Sequence, residues 1–200
     1  MALYLGTERV KIRTAPYVRY NIVGNPTIVD GVASDFTSSD YLELTQTFQD
    51  DGSDFEIKLN VTPTNTQGRP IMGVISTYSG ANSFIAQNGG AFRWKITSDN
   101  VMTFTTSYSI NTNYDIYASR TNGVYHFSFG SNGTTIEELT LESSALVNGG
   151  NARTFALGCD KSTFNDRFPG SINLYQSYIK RNGLYWWDGN IQYAQTYTLH

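Results

Sequence analysis

One cysteine, Cys159, stands in 200 residues. That scarcity excludes an internal disulfide and any zinc site built on clustered thiolates. Charge is also sparse, with Asp, Glu, Lys and Arg making up 16% of the chain and a formal net charge of -3. No basic run or basic face appears, so nucleic acid is not an expected partner. Histidine is nearly missing: His126 lies inside an alternating apolar stretch and His200 is the last residue. Neither has a nucleophile at a spacing that would build a triad. No apolar run reaches the length of a membrane span, so no membrane partner is expected. The opening Met1-Ala-Leu-Tyr-Leu-Gly6 lacks the apolar stretch of a secretion signal, and the expectation is a chain made in a cytoplasm. Asn60-Val-Thr62 and Asn132-Gly-Thr134 match the glycosylation pattern, which means little without such a signal. No window carries the 3.6-residue apolar period of a helix.

What is present is aromatic and β-patterned. The chain holds 14 Tyr and 11 Phe, enough ring area to build a core in one all-β domain of this length. Phe55-Glu-Ile-Lys-Leu-Asn-Val61 alternates strictly, with Phe55, Ile57, Leu59 and Val61 on one face. That pattern marks a half-buried antiparallel strand. Ile71-Met-Gly-Val-Ile75 is more continuously apolar and reads as a central strand. Further short strands include Thr27–Val29, Tyr41–Leu44, Val124–Phe129 and Thr135–Leu141. Trp94 alternates with Arg93 and Lys95 and is expected in the core. Asp30-Gly31, Asn88-Gly-Gly90, Asn122-Gly123 and Asn132-Gly133 are turn signals. Counted with the other turn signals along the chain, such breaks recur every eight to twelve residues, which predicts a sandwich or jelly roll. In Phe168–Lys180, alternation places Ile172, Leu174, Gln176 and Tyr178 on one face and Asn173, Tyr175 and Ser177 on the other.

Leu157-Gly158, a loop to Arg167, then Phe168, Gly170, Ile172 and Tyr175 together resemble the closing strands of concanavalin-like domains of the laminin G and pentraxin kind. Gly24–Leu44 is similar to the entry strands of that family, and the Asn132-Gly133 turn to one of its hairpins. The resemblance spans roughly residues 20 to 180 and implies an all-β fold, an antiparallel β-sandwich of the concanavalin-like jelly-roll type. The family often has Asp after the isoleucine, whereas this chain has Asn173, so no role of that carboxylate is expected here. Residues 1–16 read as a short N-terminal arm, similar to leader segments of phage tail and fibre proteins. The expected division is an arm at 1–16, a sandwich at 17–185 and a tail or closing strand at 186–200.

Glycan hydrolases of the laminarinase type on this fold need an E-x-D-x-x-E strand, because retaining hydrolysis wants two carboxyls about 5 Å apart. Glu137-Glu-Leu-Thr-Leu-Glu142 is the nearest candidate. Glu138 and Glu142 share a face, Glu137 takes the other, and the middle acid is missing, so no enzyme is expected. The family resemblance implies calcium as the one possible cofactor. Hard oxygen ligands suit it, and Asp160, Asn165 and Asp166 are the weak candidates, with Asp50-Asp-Gly-Ser-Asp54 a second oxygen-rich loop. For carbohydrate, Tyr185, Trp186, Trp187, Asp188 and Asn190 form the best cluster, combining aromatic surface with polar groups. In a regular strand the two tryptophans would point to opposite faces.

The function expected is a non-enzymatic bacteriophage virion protein, a tail, fibre or capsid-surface component that contacts host surface glycans. Its expected partners are other virion proteins and copies of itself in a homo-oligomer. A stand-alone carbohydrate-binding module and a glycan hydrolase are the alternatives. Deletion of residues 1–14 is expected to leave the sandwich folded and to weaken assembly. Far-UV circular dichroism with light scattering checks this, and an unfolded truncated chain would make the arm part of the core.

Overall fold

The computed structural model describes residues 4–5, 8–9, 19–37, 39–75, 84–160 and 166–190, with the backbone alone for residues 4, 5, 8, 9, 75, 160 and 166. The strands are β1 (Tyr4–Leu5), β2 (Glu8–Arg9), β3 (Tyr20–Val23), β4 (Thr27–Val29), β5 (Val32–Ser34), β6 (Tyr41–Phe48), β7 (Phe55–Pro63), β8 (Pro70–Ile75), β9 (Ile85–Asn88) and β10 (Ala91–Lys95). They continue as β11 (Val101–Thr103), β12 (Tyr114–Thr121), β13 (Val124–Ser131), β14 (Thr134–Glu142), β15 (Arg153–Leu157), β16 (Cys159–Asp160), β17 (Asp166–Arg167), β18 (Gly170–Arg181) and β19 (Leu184–Asp188). One sheet runs β11-β10-β9-β8-β15-β6-β3, and the other runs β14-β13-β12-β7-β18-β5-β4 with β19 also on β18. The strands pair antiparallel and the two sheets close over one core, which makes the all-β sandwich that the alternation predicts. Of the arm, β1 pairs with β2; the rest of residues 1–16 and the stretch 191–200 lie outside the described residues. The last strand, β19, carries the sheet across the boundary expected at 185.

Short-range chemistry sets the hairpins. Asp30-Gly31, Gly89-Gly90, Asn122-Gly123, Asn132-Gly133 and Asn182-Gly183 each have positive φ at both positions. Such pairs make the two-residue turns whose twist matches that of the strands they join. The β8 strand is buried at residues 71–74. It sits mid-sheet, and its residues Ile71, Met72 and Val74, which are divided between the two faces, are all buried in the main core. Covering on both faces explains its unbroken apolar run.

Rings lock the sheets together. Trp94 on β10 meets Phe55 on β7 at 6.2 Å and Tyr125 on β13 at 5.4 Å, both edge-on. Phe104, just past β11, stacks on Phe127 of β13 at 4.4 Å. Each such pair adds about 0.5–1.5 kcal/mol beyond its buried area. A buried polar node ties in the connections. Asp50, 3% exposed, accepts from Gly52 N at 2.9 Å, Val147 N at 2.8 Å and Arg120 Nη1 at 3.2 Å. The Tyr125 hydroxyl donates to Ala145 O at 2.5 Å and lies 3.3 Å from Asp50 Oδ2. Burial first, then the Asp50 charge, pushes this phenol well above its ordinary range. Asp50 belongs to the acid loop considered for calcium, but its oxygens are spent on protein donors.

The most consequential irregularity lies in β18. Its register on β7 runs from Asn173 opposite Asn60 directly to Tyr178 opposite Lys58. The intervening residues bulge out of the ladder, and side-chain parity reverses. Ile172 and Leu174 face the core as expected, but beyond the bulge Ser177 and Ile179 are the buried residues. Tyr178 therefore takes the outer face, opposite to the simple alternation. The bulge also changes neighbours: β18 pairs with β5 before it and with β19 after it. Tyr175 packs over Gly31, where a Cβ would come within 2.5 Å of the ring.

Ser177 repairs the broken ladder. Its hydroxyl accepts from the buried Asn60 N–H at 3.1 Å and donates to Asn173 O at 2.7 Å. Ser177→Ala leaves both backbone groups unpaired. The expected cost is about 1–3 kcal/mol, read as a lower urea midpoint with an unchanged slope. A Ser177→Ala variant as stable as the wild type would show that the hydroxyl does not support the bulge.

Candidate functional site

The outer face of the larger sheet presents two adjacent cross-strand rows. One runs Thr140, His126, Ser119, Glu56, Lys180 and Tyr185 across β14, β13, β12, β7, β18 and β19. The next runs Glu138, Ser128, Tyr117, Lys58, Tyr178 and Asp188 over the same strands. At the usual strand spacing each row is roughly 24 Å long. A third, shorter row sets Asp115, Asn60 and Asn173 side by side.

Neighbouring groups hold this face rigid. Tyr178 donates to Glu56 Oε1 at 2.5 Å, and Lys180 reaches the same oxygen at 3.4 Å. The Lys180 ammonium lies 4.4 Å from the centre of the Tyr178 ring and 5.0 Å from that of Tyr185. The two rings meet edge-on at 5.5 Å. Burial first, then the Glu56 hydrogen bond and charge, pushes the Tyr178 phenol far up, so it stays a donor. Lys58 pairs with Asp115 at 3.1 Å and stands 5.4 Å from the Tyr117 ring centre. Burial opposes its charge, but the bonds to Asp115 and Tyr117 outweigh this and raise its pKa. The Asn60 side chain donates to Asn113 and Asp115, each at 2.8 Å. Its burial also removes it as a glycosylation acceptor. Asn173 Oδ1 is buried with no hydrogen-bond partner among the described residues. The face thus offers three part-exposed tyrosines among fixed donors and acceptors of both charges. That composition can take the apolar C–H face and hydroxyl rim of a sugar.

The residues expected to bind carbohydrate are divided by the fold. Tyr185 and Asp188 join the outer face, at the ends of the two rows. Trp187 is 0% exposed, in the core opposite Ile179. A bulge between Ile179 and Lys180 makes Trp186 the extra residue of β19. Trp186 packs on the core edge against Phe48 at 5.6 Å rather than facing out. Asn190 is exposed beyond the strand, its amide donating to Asp188 Oδ1 at 3.0 Å. The five residues therefore do not form one platform. Tyr178 and Tyr117 are the partners that sequence reasoning missed. Tyr117 could have been found from alternation in β12, but Tyr178 was hidden by the bulge.

Of the calcium candidates, Asn165 and the side chains of Asp160 and Asp166 lie outside the described residues. In the other acid loop, Asp51 is held at about 2 by the hydroxyl and amide of Ser53, with Arg181 adding its charge. Asp54 accepts from Asn122 N at 2.9 Å. With Asp50 buried as described, the carboxylates of this loop serve as internal acceptors and do not fit a calcium site. Among the described residues, no group of three or more His, Cys, Asp or Glu is placed to hold a metal ion.

No family model and no curated protein matches the chain. By shape it is similar to several solved structures. The binding domain of botulinum neurotoxin DC, in complex with rat synaptotagmin II, aligns with a TM-score of 0.55 at 15% identity over 90% of this chain and 46% of that one. The enzymatically active domain of tailspike protein 2 from bacteriophage CBA120 aligns at 0.57 and 14% identity over 95% of this chain and 32% of that one. A Trypanosoma rangeli sialidase mutant displaying trans-sialidase activity aligns at 0.56 and 12% identity over 88% of this chain and 29% of that one. The chain spans less than half the length of each of these structures. The likeness shows the fold alone, an antiparallel β-sandwich.

The acids of β14 have separate roles. Glu138 and Glu142 stand exposed on the outer face, with Thr140 between them. Glu137 clips β14 to the connection after β11, accepting from Thr105 N at 3.1 Å, Thr105 Oγ1 at 3.0 Å and Thr106 N at 2.8 Å. Burial opposes its charge, but these donors prevail and hold its carboxyl at about 2. A depressed folded pKa gives stability that is complete above the ordinary carboxyl range and is lost as pH falls toward about 2. Glu137→Ala is therefore expected to cost about 1 kcal/mol near neutrality. Melting should drop by about 2–4 °C at pH 6, with the difference from wild type closing as pH falls through 4 toward 2. A difference independent of pH would mean that the carboxylate charge is not what holds the clip.

Proposed function

We propose that this chain is a non-enzymatic, glycan-binding β-sandwich of a bacteriophage virion, a tail, fibre or capsid-surface component that contacts host surface carbohydrate. The observation that carries the reading is the outer face itself: Tyr117, Tyr178 and Tyr185 set among Glu56, Lys58, Asp115 and Lys180 on a rigid sheet. Pre-paired groups lose little freedom on binding, so a weakly apolar ligand can still be held. The length of the rows suits an oligosaccharide rather than a single sugar. The leader-like arm and the fold shared with a phage tailspike domain support a place on the particle. One neurotoxin relative by fold is described as depending on two ganglioside molecules for cell entry, which supports glycan reading on this scaffold. The non-enzymatic part of the reading rests on the acids, because Glu137 is spent as a clip and Glu138 and Glu142 are exposed on an edge strand.

The test is binding of the labelled protein to bacterial cells and to their extracted surface polysaccharides, with and without calcium. Saturable binding that disappears after periodate treatment of the glycan is expected. Tyr178→Ala and Tyr185→Ala should each weaken it about tenfold, or ~1.4 kcal/mol, while Trp186→Phe should not. No binding at high protein concentration would leave the sandwich a structural or decorating role on the particle.

A further inference from the structure

The end of β5, the connection to β6, the residue after β7 and the turn into β18 enclose a cleft of about 450 Å³. That volume falls in the range of small-molecule sites. The cleft lies apart from the tyrosine rows. Its base is apolar, with Phe168 buried there beside Phe36 at 6.5 Å between ring centres. The residues that line it include an acid, a base and three alcohols: Asp35, Arg167, Ser34, Thr64 and Ser171. Asp35 holds a left-handed backbone at φ 57, a conformation that Asp tolerates at some cost. The Ser34 hydroxyl donates to Asp35 Oδ2 at 3.3 Å. Arg167 is exposed and makes no ion pair among the described side chains.

The geometry points to a second binding site here, for a single acidic sugar of the hexuronate class. A guanidinium fork matches one carboxylate in bidentate fashion. The Asp35 carboxylate accepts from sugar hydroxyls and repels a second negative charge, so phosphorylated or multiply charged ligands are disfavoured. The Ser34, Thr64 and Ser171 hydroxyls can each donate or accept, which suits a ring whose substituents do both. The volume holds a monosaccharide and leaves an open side for the rest of a chain. The site stands whether or not the tyrosine face binds glycan.

The experiment is an amide-resolved NMR titration of the full chain with methyl glucuronide, and with methyl glucoside as the uncharged counterpart. Saturable shifts at residues 34–37 and 167–171 are expected, with millimolar affinity for the glucuronide and weaker binding of the glucoside. Arg167→Gln should weaken glucuronide binding about tenfold and leave the glucoside nearly unchanged. Asp35→Asn should weaken the glucoside more than the glucuronide, because the loss of an acceptor is offset for the anion by the loss of repulsion. The double variant Tyr178→Ala, Tyr185→Ala should bind glucuronide as the wild type does. Absence of saturable shifts at these residues would overturn the inference, as would glucuronide affinity indifferent to Arg167→Gln. Shifts confined to the Tyr178 and Tyr185 region would also overturn it, while supporting the tyrosine face.

Discussion

The bulge between Asn173 and Tyr178 is the constraint on which the outer face of the larger sheet depends. A regular β18 would put Tyr178 into the core and Ile179 into water. The four residues outside the ladder reverse that parity and let one long strand serve two neighbours, β5 before the bulge and β19 after it. The cost is a gap in the hydrogen-bond ladder at the buried Asn60 N–H, which the Ser177 hydroxyl fills. Leu174 N finds Gly31 O at 2.8 Å, so the first hairpin of the sheet is fastened to the same irregularity. With the register so fixed, Tyr178 comes within reach of Glu56, Lys180 and Tyr185.

The rest of the molecule holds that sheet close to its partner. Trp94, Phe55, Tyr125 and Phe127 interlock across the core, and such packing leaves little room for either sheet to slide. The Asp50 node adds direction where the rings add mass. A buried charge pair contributes little net stability over an apolar replacement. Here it fixes where the connections before β7 and after β14 must lie. Glu137 does the same at the far edge, joining the outermost strand of one sheet to the connection leaving the outermost strand of the other.

On the outer face, charge serves positioning. Glu56, Lys58, Asp115 and Lys180 are paired with one another and with tyrosines, so their net field is small. A surface of this kind does not attract a polyelectrolyte by long-range steering. It favours ligands recognised at short range by shape and by hydroxyl hydrogen bonds. The end cleft differs, because Arg167 and Asp35 line it without forming an ion pair among the described side chains. As proposed binding sites the two places would select by different physics, one by paired charges and tyrosines at short range and the other by one local cation.

Most of the fold was legible in the sequence, because its signals are local. Strict alternation in Phe55–Val61 needs only a strand with one wet face, and Asn122-Gly123 or Asp30-Gly31 need only the turn geometry that such residues allow. Trp94 between Arg93 and Lys95 told its own burial. The site was legible only in part. The candidate cluster is divided by the fold, with Tyr185 and Asp188 on the outer face and both tryptophans packed, and Tyr178 was put on the wrong face by alternation, since a bulge leaves no mark in the local pattern. The sequence by itself determined the strands, their turns and which rings would fill a core. Only the tertiary structure decided which tyrosines meet on one face, because that depends on register between strands distant in the chain, and a shift of register in β18 changes every side chain that follows.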